Sequence, residues 1–183
     1  MLAGALAAML LAGCATPQRI GGLAHEQAFE RVGRFAITVD QPDLPTEAVQ
    51  GGFAWRDTGA QLLLDLANPL GSTLARVSVE PGRATLTRSD GSTETAPDAD
   101  ALVLQVLGGE VPVAGLRYWL RGQAGPAPVQ ERANDAQGRL SSLRQDGWLV
   151  QLSRYDEQGP RQLRLLRSQD NRQVQLRLVV NGP

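Results

Sequence analysis

The feature that most constrains this chain is a period-two alternation of apolar and polar residues, broken by turn residues at short intervals. Phe35, Ile37 and Val39 alternate with Arg34, Ala36 and Thr38, and Val49, Gly51, Phe53 and Trp55 alternate with Gln50, Gly52 and Ala54. Successive side chains of an extended strand point to opposite faces, so this pattern buries one face and wets the other. Leu62, Leu64 and Leu66 continue it. Runs over Thr73 to Glu80, Arg83 to Arg88 and Ser92 to Ala96 follow, punctuated by Pro81-Gly82 and Asp90-Gly91. Past a Pro-rich connection at Gly125 to Pro128, further runs cover Val129 to Asn134, Arg139 to Gln145, Trp148 to Tyr155, Arg161 to Arg167 and Gln173 to Val180. Turn signals spaced about eight to twelve residues apart predict a meander of antiparallel strands. About eleven strands are too many for one flat sheet, which predicts a curved sheet or half-open barrel.

Two stretches change period. Asp98 can cap a helix in which Ala99, Leu102, Val103, Val106 and Leu107 recur at three and four, with Gly108 as its stop. A second begins near Pro112, with Val113, Leu116 and Leu120 on one face, Trp119 beside them, and Gly122 ending it. Interrupting a β chain, these two short amphipathic helices are expected to plug or lid one open side of the sheet. A third short helix is expected over Leu23 to Val32, with His25 solvated on it.

Composition removes several function classes. With 183 residues, 42% of them hydrophobic, the chain suits one domain with a full core. Its 18 basic and 19 acidic residues are scattered, so no electrostatic footprint for nucleic acid exists. All 18 basic residues are arginine, and those spaced along the strands read as solvent-facing. One cysteine and one histidine cannot supply the roughly four clustered ligands of a zinc site, nor a nucleophile triad. Phosphate-binding glycine loops are lacking too, and the Asp98 and Asp100 carboxylates suit a helix N-terminus better than acid–base work. No catalytic activity and no cofactor or metal is expected.

Residues 1–13 are almost wholly small and apolar and end in Leu11-Ala12-Gly13 before Cys14. That run is too short to span a bilayer core of ~30 Å, yet it fits the apolar region of a secretory signal. Leu-Ala-Gly-Cys resembles a lipobox, which implies that the signal is cleaved and Cys14 acylated. Without an aspartate next to the cysteine, such a lipoprotein is expected in the outer membrane, facing the periplasm and held by acyl chains that exceed what stable anchoring needs. Residues 14–24 then read as the lipidated N-terminus and tether, and 25–183 as the folded domain.

The remaining feature is Asn68-Pro69-Leu70-Gly71-Ser72-Thr73, between two strand-like runs. Proline fixes one φ and glycine accepts a positive one, so the chain turns sharply with Leu70 at or near the tip. The leucine either folds back onto the core or stands bare. Together with Gly33-Arg34-Phe35, Phe53-Ala54-Trp55, Leu74-Ala75-Arg76, Pro81-Gly82, Val111-Pro112-Val113, Trp119-Leu120-Arg121-Gly122 and Gly147-Trp148, this loop resembles the LolB family of outer-membrane lipoprotein receptors over roughly Gly33 to Val180.

The resemblance implies a half-open barrel enclosing an apolar cavity for acyl chains. It also implies a monomer that takes lipoprotein cargo from the periplasmic carrier LolA and inserts it into the inner leaflet of the outer membrane. Leu70, with Pro69 and Gly71, would form a membrane-insertion loop. Phe35, Phe53, Trp55, Leu62, Leu64, Leu66, Trp119 and Trp148 are the cavity candidates. Two other classes fit the same strand pattern: a lipocalin-like binder of a small apolar ligand, and a structural lipoprotein of an outer-membrane assembly machine. The anchor is directly testable. Cys14→Ala is expected to leave the precursor uncleaved and free of radiolabelled palmitate, and label entering that variant would remove Cys14 as the acylation site.

Overall fold

The structure, a computed structural model, describes residues 28–182. The expected signal segment, Cys14, the expected tether and His25 lie outside these residues. The described chain forms β1 (Phe29–Asp40), β2 (Glu47–Asp57), β3 (Leu62–Ala67), β4 (Thr73–Glu80), β5 (Arg83–Arg88) and β6 (Thr93–Ala96). Helices α1 (Ala99–Leu107) and α2 (Val113–Trp119) follow. The second half is β7 (Val129–Asn134), β8 (Leu140–Gln145), β9 (Trp148–Tyr155), β10 (Pro160–Gln169) and β11 (Arg172–Val180). No described helix is long and apolar enough to cross a membrane.

All eleven strands make one antiparallel sheet in the order β6-β5-β4-β3-β2-β1-β11-β10-β9-β8-β7. Each half is a meander of hairpins, and pairing of β1 with β11, from Gly33 opposite Val180 to Asp40 opposite Gln173, welds the halves. β6 and β7 remain as free edges, so the barrel is not closed. The two helices span the gap between those edges in sequence, and α1 packs against β4, β5 and β6.

Alternation decides which face is inside. Phe35, Ile37 and Val39 on β1, Leu62, Leu64 and Leu66 on β3, and Val174, Leu176, Leu178 and Val180 on β11 are all buried. Tight coiling of the central strands depends on two glycines. A Cβ on Gly51 would stand 2.1 Å from the Ala67 carbonyl oxygen, and one on Gly33 would stand 2.2 Å from that of Val179. Helix α1 begins where Asp98 accepts from the Ala101 N–H and ends where Gly108, at φ 66°, donates to the Leu104 carbonyl.

One expectation fails in the described region. The helix placed over Leu23 to Val32 is, from Phe29 on, the start of β1, with Phe29, Glu30, Arg31 and Val32 paired to Asp57, Arg56, Trp55 and Ala54 of β2. A charged residue in an inward slot hid the alternation. Arg31 faces the inside and is only 4% exposed, which also corrects the reading of strand arginines as uniformly solvent-facing. Its guanidinium donates to both carboxylate oxygens of Asp156, at 2.7 and 2.8 Å. That geometry suits a planar fork meeting a carboxylate, and it makes the arginine tolerable indoors.

The pair gives a pH signature. The Arg31 hydrogen bonds, aided by the N–H groups of Gln158 and Gly159, hold the Asp156 carboxyl at about 2 instead of 3.8. A depressed carboxylate contributes stability that is fully present above its unfolded-state value and lost as pH falls through the folded one. The melting-temperature gap between wild type and Asp156→Asn is therefore expected to be constant above the ordinary carboxylate range and to close as pH falls toward about 2. A pH-independent gap in thermal melts would contradict the assignment.

Candidate functional site

On the concave side of the sheet the two helices and their connection sit as a lid. Between lid and sheet lies an inner cavity lined by Phe35, Phe53, Trp55, Leu64, Leu66, Leu176 and Leu178 from the strands. Leu107, Val111, Leu116 and Leu120 close it from the lid. The lining is aliphatic and aromatic, and its one side-chain polar atom is the buried indole nitrogen of Trp55. The enclosed space is about 20 Å³, room for little more than one water-sized group. The lid is thus seated directly on the sheet. At its connection the fit is by contact of backbone and side chain, since a Cβ on Gly109 would stand 2.6 Å from Ile37 Cγ2.

Polar links hold the lid at opposite ends of β1. Near Phe29, Asp57 at the end of β2 is buried and accepts from Arg117 of α2 at 2.7 and 2.9 Å. Arg121 reaches the same carboxylate at 3.4 Å and lies 3.9 Å over the Phe29 ring. Burial by itself would raise the Asp57 carboxyl, but the hydrogen bonds from Arg117, the Gly59 N–H and Arg121 outweigh it and the value is lowered. Toward the other end of β1, Glu110 in the helix connection meets Arg167 at 3.1 Å and Arg172 at 3.2 Å. Alternation alone marks none of these as special, because each needs a partner about 50 or more residues away.

A second, open groove of about 560 Å³ runs beside the lid, between the N-terminal ends of α1 and α2 and the β2–β3 and β4–β5 turns. Leu62, Val79, Pro81, Val113 and Tyr118 give it an apolar floor, with Asp100 and Arg117 on its rim. Asp100 is pushed upward, first by burial and further by Asp98 and Asp146.

The structure separates the cavity candidates into three groups. Phe35, Phe53, Trp55, Leu64 and Leu66 line the inner cavity. Leu62 is buried but lines the open groove instead. Trp119 and Trp148 line neither. The Trp119 indole N–H donates to Gln145 Oε1 at 3.0 Å, and its ring fills the space left by Gly115, where a Cβ would stand 2.5 Å away. Trp148 lies at the β8–β9 hairpin with the Arg167 guanidinium 5.8 Å over its ring. Both are packing residues. Sequence reasoning passed over Gln145, which is 1% exposed and also accepts from the Gly125 N–H and donates to the Gly125 and Ala127 carbonyls, tying the Pro-rich connection to the lid.

Leu70 does not fold onto the core. It is 93% exposed, on a turn in which Gly71 donates to the Asn68 carbonyl at 3.0 Å. The Asn68 side chain accepts from the N–H groups of Leu70 and Ser72 at 2.9 and 3.0 Å, and Gly71 has φ 92°. Asparagine, proline and glycine together hold an apolar side chain in solvent on a stiff support.

The lid links give the prediction here. Removing the Asp57 carboxylate leaves two partly covered arginines unpaired at the end of the lid. Asp57→Ala is expected to cost on the order of 3 kcal/mol, or a fall in melting temperature of roughly 6–12 °C. Arg76→Ala, which breaks only the exposed Arg76–Asp65 pair, is expected to cost under about 1 kcal/mol. Equal effects of the two changes in thermal melts would show that Asp57 does not hold the lid.

Comparison with known proteins identifies the family. The profile of the family described as "Outer membrane lipoprotein LolB" matches residues 27–182. The "Outer-membrane lipoprotein LolB" of Bordetella petrii is 54% identical over 176 residues, covering 95% of this chain and 88% of that protein. The protein of the same name from Bordetella pertussis is 53% identical over 177 residues, with the same coverage. That of Cupriavidus metallidurans is 36% identical over 184 residues, covering 93% and 89%. Among solved structures, the LolA superfamily protein NE2245 of Nitrosomonas europaea aligns over 84% of this chain and 87% of its own, at 9% identity and a TM-score of 0.46. At 53–54% identity over 95% of its length, and with the family profile matched from its first described strand to its last, this chain belongs to the LolB family of outer-membrane lipoproteins.

Proposed function

We propose that the protein is an acyl-chain receptor: it takes lipoproteins from a periplasmic carrier of the LolA kind and inserts them into the inner leaflet of the outer membrane. The observation that carries this reading is the lid, whose contact with the sheet is apolar on both sides. An ordinary core needs no such division. Here the covering element is two short helices attached to the open edges of a sheet and fastened by ion pairs at its two ends.

The volumes say what reception requires. On the scale on which one water-sized group needs about 10–15 Å³, a chain of ~16 carbons needs roughly 160–240 Å³. The inner cavity offers about 20 Å³. The groove, at about 560 Å³, has room for an acyl chain but lies open to solvent along one side. Acceptance therefore proceeds with a chain laid along the groove and the lid lifting from the sheet to open the inner cavity to acyl chains. Phe35, Phe53, Trp55, Leu64 and Leu66 then exchange lid side chains for acyl chains. Burying each CH₂ gains about 0.8 kcal/mol, but the lid's own apolar contacts are given up in return. The difference stays small, and the cargo can leave again.

Release falls to Leu70. A bare leucine on a stiff turn gains a couple of kcal/mol by entering the acyl region of a bilayer. It brings the loaded receptor against the leaflet that is to receive the chains. Cys14, if acylated, keeps the domain within reach of that surface.

The test is a transfer assay from lipoprotein-loaded LolA to this protein, read separately for acceptance and for insertion into vesicles. Leu70→Glu is expected to leave the melting temperature within about 2 °C of wild type, because the side chain touches little. Acceptance should persist while insertion fails. Leu64→Asp, which puts a carboxylate among apolar side chains, should abolish acceptance in whatever fraction stays folded. Normal insertion by Leu70→Glu would retire the membrane tip; acceptance by folded Leu64→Asp would move the acyl chains out of the inner cavity.

A further inference from the structure

The convex face of the sheet carries a feature that acyl-chain reception leaves unused. Arg34 on β1, Arg177 on β11 and Arg164 on β10 are all exposed and point outward by strand parity. Arg164 and Arg177 are direct cross-strand partners. Arg177 pairs with Ala36, two residues along β1 from Arg34, so these two are diagonal neighbours. Like charges set opposite one another destabilise a sheet. None of the three meets an acid among the described residues, whereas Arg56 and Arg76 on the same face meet Glu30 and Asp65.

Among the described residues the adjoining outward positions hold no acid either. The outward neighbours include Val32, Gly52, Gln151, Gln162, Gln175 and Val179, of which Val32 is 53% and Val179 42% exposed. Arg34 also lines an outer-face groove of about 340 Å³ together with Asn68, Pro69 and Gly71. The cationic row therefore runs up to the foot of the Leu70 turn. For a chain whose net charge is −1, this is a local field, not a global one.

We propose that Arg34, Arg164 and Arg177 form a docking face for the phosphate headgroups of anionic phospholipids, which lays the convex side of the receptor on the leaflet beside the Leu70 tip. This rests on the membrane-tip reading of Leu70 and adds the lipid chemistry that tip requires. Guanidinium groups bind phosphate oxygens through paired N–H donors, and the two exposed valines lie at headgroup depth. A lipid surface suits the row better than a protein partner does. The row's three guanidinium groups stand on three separate strands, and mobile headgroups adjust to whatever spacing the strands impose.

The test uses the full lipidated chain in vesicles, with an environment-sensitive dye on Ser72→Cys at the base of the turn. Cys14 is the only other cysteine in the sequence, and its acylation in the lipidated chain would leave the introduced thiol alone to take the dye. Dye burial is measured in phosphatidylcholine with and without phosphatidylglycerol, at low and high salt. Wild type is expected to dock more strongly on the anionic vesicles, and the advantage should vanish in salt. Each arginine changed to glutamine should weaken docking about fivefold, and all three on the order of a hundredfold, with no change in melting temperature. The triple lysine variant should keep most of the effect.

Docking of wild type that is equal on both vesicle types, with the triple glutamine variant unchanged, overturns the row and leaves the Leu70 tip standing. No dye burial for wild type on either surface overturns both. A triple glutamine variant that docks normally but no longer accepts cargo from loaded LolA also overturns the proposal, and assigns the face to an acidic protein.

Discussion

The pairing of β1 with β11 is the contact on which the rest of this structure depends. It joins residues 33–40 to residues 173–180, nearly the full length of the described chain apart. Every other strand pair in the sheet is a local hairpin between consecutive strands. Without this one long-range seam there are two small meanders, each with one apolar face and nothing to curl around. With it, a single sheet coils far enough to define an inside. The glycines at 33 and 51 belong to the same constraint, since they are the places where neighbouring backbones come too close for a side chain.

A coiled sheet of eleven strands that stops short of closing leaves an opening, and the two helices cover it. Their attachment combines two kinds of force. Apolar contact beneath the lid is strong but indifferent to geometry, so it holds the helices down without fixing where they sit. The ion pairs at Asp57 and Glu110 are directional, and they register the lid at both ends of β1. Both carboxylates are met by arginines that are about a third exposed, so water can take over when the pairs part. The lid is thus held by strong but unspecific adhesion and by directional fasteners that stay partly hydrated.

The division of labour between the two faces follows from the pleat. Inward positions supply Phe35, Trp55, Leu64 and Leu176 to the space under the lid. Outward positions are free of packing duty, and there Arg34 on β1, Arg164 on β10 and Arg177 on β11 meet no acid among the described residues. The Leu70 turn belongs to neither face. It projects from the end of a hairpin, with its backbone satisfied by Asn68, so that its side chain contributes to no core.

What the sequence by itself determined is what depends on neighbours close along the chain. Period two in the strands, period three and four over Ala99–Leu107, the capping Asp98, the stop at Gly108 and the Pro69–Gly71 turn are all local signals, and eleven strands and two helices were legible from them. The inward set Phe35, Phe53, Trp55, Leu64 and Leu66 followed from the same alternation. Tertiary structure alone decided the rest. Arg31 broke the pattern at the start of β1 because its partner, Asp156, lies 125 residues away, and a buried arginine looks like a surface one until that partner is known. Trp119 and Trp148 look like lining by composition, yet Gln145 and Arg167 claim their rings. Leu70 was undecided between core and tip for the same reason: a local pattern specifies the turn, but only the packed fold shows that nothing covers it.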